Sequence, residues 1–240
     1  MGQKKLIRFE AIKTFANVLQ YPQGMQGNWY QFFKNNNPVV LELACGKGEY
    51  TVGLAALHTN QNFIGIDLKG NRIYIGAKKC LQQGLHNAAF VRTQIDQLTN
   101  YFAKEEVAEI WITFPDPQLR TGKARKRLTH PKFLRLYQQI LKPGGYIHLK
   151  TDSPVLYRFT LLVIEMYGLT VVEQYSDIYA LKESLPQELF IKTHYESLDI
   201  AQSNRVHYIK FKLPAEPLPD FDKTLLEKLK KDEEAISGGS

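Results

Sequence analysis

The chain has 240 residues, 44% of them apolar and 23% charged, a composition ordinary for a soluble globular protein and a length that suits one α/β domain with short extensions and a substantial core. Its formal charge is +7 with a pI near 9.2, which favours a polyanionic partner. No apolar run approaches the roughly 20 residues of a membrane span. Met1–Arg8 is not followed by the apolar stretch of a secretory signal, and two cysteines, Cys45 and Cys80, cannot build a disulfide framework. The expected compartment is a reducing cytosol, without membrane association.

Residues 1–37 read as an N-terminal extension. Phe9, Ile12, Phe15, Ala16 and Leu19 recur at helical spacing until Tyr21-Pro22 ends the stretch. A short aromatic helix follows, with Trp29, Tyr30, Phe32 and Phe33, and Asn35-Asn36-Asn37-Pro38 breaks it. From Pro38 to Leu213 strands and helices alternate. Strands are expected at Val39–Leu43, Phe63–Asp67, Ala88–Arg92, Glu109–Phe114 and Tyr146–Lys150. Helices are expected at Glu49–His58, Arg72–Gln83, Gln97–Lys104 and Pro131–Leu141, with a turn at Lys142–Gly145. Ser153-Pro154 has the N-cap and N1 chemistry of another helix, running to Gly168. Leu169–Gln174 and Val206–Leu213 complete a closing hairpin. This alternation implies an α/β domain with a doubly wound, mostly parallel, seven-stranded sheet. Residues 214–240 form a tail: a proline-rich linker, an amphipathic segment from Asp220 to Ile236, and an end expected to be disordered from Ser237 to Ser240.

The first strand of the domain runs into Glu42-Leu43-Ala44-Cys45-Gly46-Lys47-Gly48-Glu49. A glycine turn between strand and helix lets a ligand approach the backbone. Asp67 ends the next strand, 21 positions after Gly46, the offset of an acid that grips ribose hydroxyls. A glycine pair alone could be a mere tight turn; Asp67 in phase makes a ligand site the better reading. Thr51 stands where a dinucleotide fingerprint needs its third glycine, so adenosine without a pyrophosphate is favoured over NAD. Cys45 reads as a small packing residue.

Farther on, Pro115-Asp116-Pro117 restricts the backbone on both sides of one carboxylate at the carboxyl end of a strand. Alone this would be a rigid turn with a solvated acid. Residues 120–132 follow, with six Lys/Arg, one His and no acid. Such a run is a solvated face or a phosphate-binding patch, and its exit from the ligand edge favours the patch. Lys150-Thr151-Asp152 and Thr193-His194-Tyr195-Glu196 bring further polar groups to the same edge.

These motifs together resemble the tRNA (guanine-N7-)-methyltransferase family of the bacterial single-chain type, across roughly residues 38–213. They are Leu41–Gly48, Gly65-Ile66-Asp67, Phe114-Pro115-Asp116-Pro117, the run with Arg127-Leu128-Thr129, Lys150-Thr151-Asp152 and Thr193–Glu196. The glycine loop is common to many methyltransferases; the Phe-Pro-Asp-Pro, basic run and Thr-x-Tyr-Glu combination is more specific. The resemblance implies a Rossmann-like class I methyltransferase fold, S-adenosyl-L-methionine as cofactor, and methylation of guanine N7 in the variable loop of tRNA. It implies that Glu42, Gly46, Gly48, Asp67, Gln94 and Asp116 bind the cofactor, and that Asp116 is catalytic. Arg120, Asp152, Thr193, His194, Tyr195 and Glu196 would hold the guanosine end. Lys123, Arg125, Lys126 and Arg127 would contact RNA phosphates, joined by Lys4, Lys5 and Arg8. Gln118 replaces a tryptophan common in the family, and Gln94 stands where an Asp usually meets adenine, with Asp96 as its rival. No metal is implied. The glycine loop and Asp67 equally suit a methyltransferase for a small molecule or protein, which the basic run does not. A non-catalytic RNA-binding module on the same fold would not need the Gly46, Asp67 and Asp116 set. The oligomeric state, monomer or homodimer, stays open.

Overall fold

The computed structural model describes residues 2–198 and 202–237. The chain begins with α1 (Gly2–Ala11), a 3-10 turn at Ile12–Thr14 and strand β1 (Val18–Gln20). The helical spacing that runs to Leu19 is therefore broken. Val18–Gln20 pairs in parallel with β4 (Ala88–Arg92), and the sheet edge satisfies backbone groups that a longer helix would have kept to itself. Next come α2 (Trp29–Phe33), β2 (Val39–Leu43), α3 (Glu49–Leu57), β3 (Asn62–Asp67) and α4 (Gly70–Gln83), then β4 and β5 (Val107–Thr113). The helix expected at Gln97–Lys104 is a 3-10 turn over Ile95–Asn100. The second half holds α5 (Pro131–Gln138), β6 (Leu141–Thr151), α6 (Pro154–Tyr167), β7 (Thr170–Tyr175), β8 (His207–Lys212) and α7 (Asp222–Ser237). β6 starts at Leu141 opposite Val107 and takes in the expected turn, through a register shift opposite Val107 and Glu109. Of the tail expected to be disordered, Ser237 ends α7 and residues 238–240 lie outside the described residues.

One sheet of eight strands results, in the order β1-β4-β3-β2-β5-β6-β8-β7. It is α/β and mostly parallel, as expected, with β1 as the additional strand; β8 alone runs antiparallel, between β6 and β7. Alternation along the strands feeds two cores. Leu41, Leu43, Ile64, Ile66, Ile110 and Ile112 face α2, α5, α6 and α7. Val40, Phe63, Phe90, Trp111 and Tyr208 face α3, α4 and the 178–191 connection. The chain reverses its winding direction between β2 and β5, so the ligand crevice of such a sheet lies at the carboxyl ends of those strands. Among the described residues no helix is long and apolar enough to cross a membrane.

Two local features of this packing can be tested by stability. Gly48 has φ +71° and sits where α3 starts; a Cβ there would run into the Phe90 ring, with Gly76 Cα 3.5 Å away. Gly48→Ala combines a left-handed backbone with overpacking and should cost about 2–4 kcal/mol, read as a lowered urea midpoint; a parental midpoint would contradict this packing. His130 caps α5, its Nδ1 accepting Lys132 N–H at 3.1 Å. Burial above all, opposed by Asp222 and helped by Arg125, Arg135 and Lys132, pushes its pKa from 6.5 down to about 4. The unfolded chain therefore takes up a proton near pH 6.5 that the folded chain refuses until about pH 4. The stability tied to neutral His130 is full above that window and falls by about 1.4 kcal/mol per pH unit through it. His130→Asn keeps a cap but not the titration. Relative to that variant, the parent should lose up to about 3 kcal/mol of unfolding free energy as pH drops from 7 to 4; parallel curves would mean that His130 does not titrate as described.

Candidate active site

The β2–α3 turn is built from left-handed residues, Ala44 at φ 55° and Gly46 at φ 57°. Cys45 N–H donates to Ile66 O at 3.0 Å, which zips the turn to β3. The Cys45 side chain is buried, and burial first, then the carboxylates of Glu42 and Asp67, push its thiol well above the usual range. It is a packing residue without thiolate reactivity. Asp67 leans across from β3: its Oδ2 accepts Gly46 N–H at 2.9 Å and its Oδ1 accepts Lys69 N–H at 2.8 Å. The two amides orient the carboxylate over Gly46, leaving its other lone pairs for a diol.

Glu42 is 3% exposed. Its Oε2 accepts Thr51 N–H at 2.7 Å and Thr51 Oγ1–H at 2.5 Å, and its Oε1 accepts Thr113 Oγ1–H at 2.8 Å. Burial raises its pKa to about 7 against the pull of these bonds. Both oxygens are thus used in tying β2, α3 and β5 together, so Glu42 shapes the site from below. Gly48 likewise lies in a packing contact with Phe90 and Gly76. Gln94 is exposed two residues past β4, whereas its rival Asp96 is held by Lys132 Nζ at 2.7 Å.

Phe114 N–H donates to Lys150 O at 2.8 Å, which brings the ends of β5 and β6 level. Asp116 and Asp152, each two residues beyond that pair, therefore enter the same edge. Asp116 is exposed, and its Oδ1 accepts Gln118 N–H at 3.0 Å. Asp152 is half-buried, with its carbonyl accepting Ser203 Oγ–H at 2.9 Å. Arg120, Lys123, Arg125 and Lys126 are exposed on or just before a 3-10 turn, Thr121–Lys126. Arg127 departs from that reading. It is 2% exposed and its guanidinium is turned inward, onto backbone carbonyls of residues 117–119, so it is not placed to meet a phosphate.

The Thr193–Glu196 segment closes the edge from above. Tyr195 lies over Gly46, its Cε2 3.6 Å from where a Cβ would stand, and Arg72 covers its outer face at 5.5 Å. Thr193 is buried, with Oγ1 accepting Glu196 N–H at 3.1 Å, and His194 is exposed. Glu196 is turned inward: Oε2 accepts from Lys150 Nζ at 3.0 Å and Oε1 from the Tyr179 hydroxyl. Lys150 is fully buried, also donates to Ile191 O at 3.0 Å, and has its pKa lowered by burial against the pull of Glu196. Glu196 therefore anchors the segment and offers the substrate no open oxygen pair. The sequence signal for this anchor is Lys150 itself, a cation ending a buried strand, which must find a carboxylate.

The arrangement fits an adenosine-type cofactor. There is a left-handed backbone turn at Gly46, the Tyr195 ring over it, the Asp67 carboxylate fixed beside it by two backbone amides, and an exposed amide at Gln94 past the end of β4. Among the described residues no cluster of His, Cys, Asp and Glu could hold a metal ion.

Comparison with known proteins agrees with this chemistry. A family model described as "Putative methyltransferase" matches residues 36–209. A tRNA (guanine-N(7)-)-methyltransferase of Porphyromonas gingivalis is 48% identical over 214 residues, covering 84% of this chain and 86% of the relative. One of the same name from Bacteroides thetaiotaomicron is 44% identical over 225 residues, covering 90% and 88%. Among solved structures, a variant 16S rRNA (adenine(1408)-N(1))-methyltransferase from Catenulisporales acidiphilia, crystallised with cosubstrate SAM, superposes with a TM-score of 0.52 at 14% identity, covering 80% of this chain and 93% of that one. The latter shows the fold alone, a Rossmann-like methyltransferase fold. With its own motifs, this sheet and relatives matched over more than four fifths of their length, the chain belongs to the tRNA (guanine-N(7)-)-methyltransferase family.

Proposed function

We propose that this chain transfers a methyl group from S-adenosyl-L-methionine to N7 of a guanine in the variable loop of tRNA, in the cytoplasm. The observation that supports this is Asp116 itself: one exposed carboxylate on a proline-braced turn just beyond the carboxyl end of β5, followed by a run of exposed cations. The cofactor supplies an activated methyl group on a sulfonium. Gly46, Asp67 and Gln94 would hold it. Guanine N7 has a lone pair and no proton, so the protein needs no general base. What the chain contributes is alignment and electrostatics. Asp116 accepts hydrogen bonds from the guanine N1–H and amino group and offsets the positive charge that moves onto the purine. Arg120, Asp152, Thr193 and His194 line the guanosine end. Lys123, Arg125 and Lys126 meet flanking phosphates, with Lys4, Lys5 and Arg8 as a second basic group.

Incubation with unmodified tRNA and labelled cofactor, followed by nucleoside analysis, should place the label in 7-methylguanosine. Asp116→Asn should lower the single-turnover rate by about a hundredfold or more while cofactor and tRNA affinities stay near parental. Label in another nucleoside, or a parental rate in the variant, would refute the assignment. Replacing Lys123, Arg125 and Lys126 with Ala should weaken tRNA binding and flatten its log–log salt dependence by about 0.7–0.9 per lost phosphate contact, with cofactor affinity kept. An unchanged slope would make these cations a solvated face.

A further inference from the structure

Arg127 is the cation of the basic run that the fold draws inside. Its Nε donates to Pro117 O at 3.2 Å and Gln118 O at 3.3 Å, and its Nη2 donates to Gln118 O at 3.0 Å and Leu119 O at 3.3 Å. The guanidinium lies 4.5 Å from the Phe159 ring, and the Glu233 carboxylate on α7 is the counter-charge that acts on it. A buried cation hydrogen-bonded to backbone carbonyls is an expensive arrangement, and Glu233 offsets part of its cost. Three successive carbonyls can converge on one group only if the chain curls around it, and Gln118 takes φ +47° to do so. The planar fork of arginine, with five N–H donors, matches that set; a lysine ammonium has three donors on one point and does not span it. The base of the clamp is itself fixed, since Arg127 N–H donates to Ala124 O at 3.0 Å and Arg127 O accepts His130 N–H at 2.9 Å.

One peptide plane links this clamp to the carboxylate. The carbonyl of Pro117 points to Arg127 Nε, and the N–H of the same peptide unit, on Gln118, points the opposite way to Asp116 Oδ1 at 3.0 Å. A trans peptide is rigid, so fixing its oxygen fixes the direction of its hydrogen. We infer that Arg127 is a positioning residue for methyl transfer: it locks the Pro117–Gln118 peptide plane, and through it holds Asp116 with one oxygen on Gln118 and the other toward the base. This inference rests on Asp116 as the group that meets the guanine. It departs from the role of phosphate contact, for which Arg127 lacks the exposure.

The test compares Arg127→Ala, Arg127→Lys and Asp116→Asn, singly and with Arg127→Ala combined with Asp116→Asn, in the full chain. Single-turnover methylation, tRNA affinity across a salt series and cofactor affinity are measured. Arg127→Ala should slow methylation by about a hundredfold, the scale of a roughly 1 Å misplacement, with the parental salt slope. Added guanidinium ion should restore part of that rate, and ammonium at the same ionic strength should not. In the Asp116→Asn background Arg127→Ala should add little further loss, because both act through one carboxylate. Should Arg127→Ala fail to fold, Arg127→Lys carries the test: it should stay slow with an unchanged slope, and a parental rate would overturn the clamp. A slope shallower by about 0.7–0.9, a loss that guanidinium does not restore, or losses that multiply fully with Asp116→Asn would each overturn it as well. If Asp116→Asn is itself neutral, the reading of Asp116 fails; if Asp116→Asn is slow while Arg127→Ala is parental or fully additive, the clamp alone fails.

Discussion

The buried carboxylate of Glu42 is the interaction on which the site's geometry depends. It stands on the central strand, at the point where the winding of the sheet reverses, and takes hydrogen bonds from the α3 backbone, from the Thr51 hydroxyl and from Thr113 on β5. A split between two neighbouring parallel strands is what opens the crevice, so something must hold the strands and the first helix in register beneath it. Three donors on one carboxylate do this with directional bonds that an apolar contact lacks. Burial still raises the pKa to about 7, which shows how large the desolvation cost is even with all three bonds made. The glycine turn above it, the Asp67 hook and the α3 N-terminus all start from that fixed floor.

The parts of the molecule that were readable in the sequence are those governed by local periodicity or by a motif with a single physical purpose. The strands β2 to β5, the helices α3, α4, α5 and α6 and the turn at Gly46 are of this kind, whereas the expected helix at Gln97–Lys104 is a 3-10 turn and the expected turn at Lys142–Gly145 lies within β6. The parts that were not readable depend on partners distant in the chain. Val18–Gln20 has helical spacing, yet the open edge of β4 draws it into the sheet. Arg127 sits in an unbroken basic run, and sequence offers no means of telling which cation will face inward toward Phe159. Glu196 and Glu42 carry the residue type expected of ligand-binding groups, but their oxygens are taken by Lys150, Tyr179, Thr51 and Thr113, which lie 9 to 71 positions away.

Inward and outward charges thus divide the work around one edge. Exposed cations at Lys123, Arg125 and Lys126 remain hydrated and free to move with a polyanion. The buried cations, Arg127 and Lys150, brace the two loops that enclose the site, one by gripping carbonyls and the other through Glu196.

The insertion of β8 between β6 and β7 also sets an order on the birth of the site. During synthesis β6 emerges with one side unpaired, and β7 cannot close it, because the strand that joins them comes only with residues 207–212. Lys150 must likewise wait for Glu196, 46 positions later, before its charge is neutralised. Folding units are generally completed from the N-terminus as the chain is made. The cradle around Gly46 and Asp67 can therefore assemble on the ribosome well before its roof, which waits for Glu196 and β8.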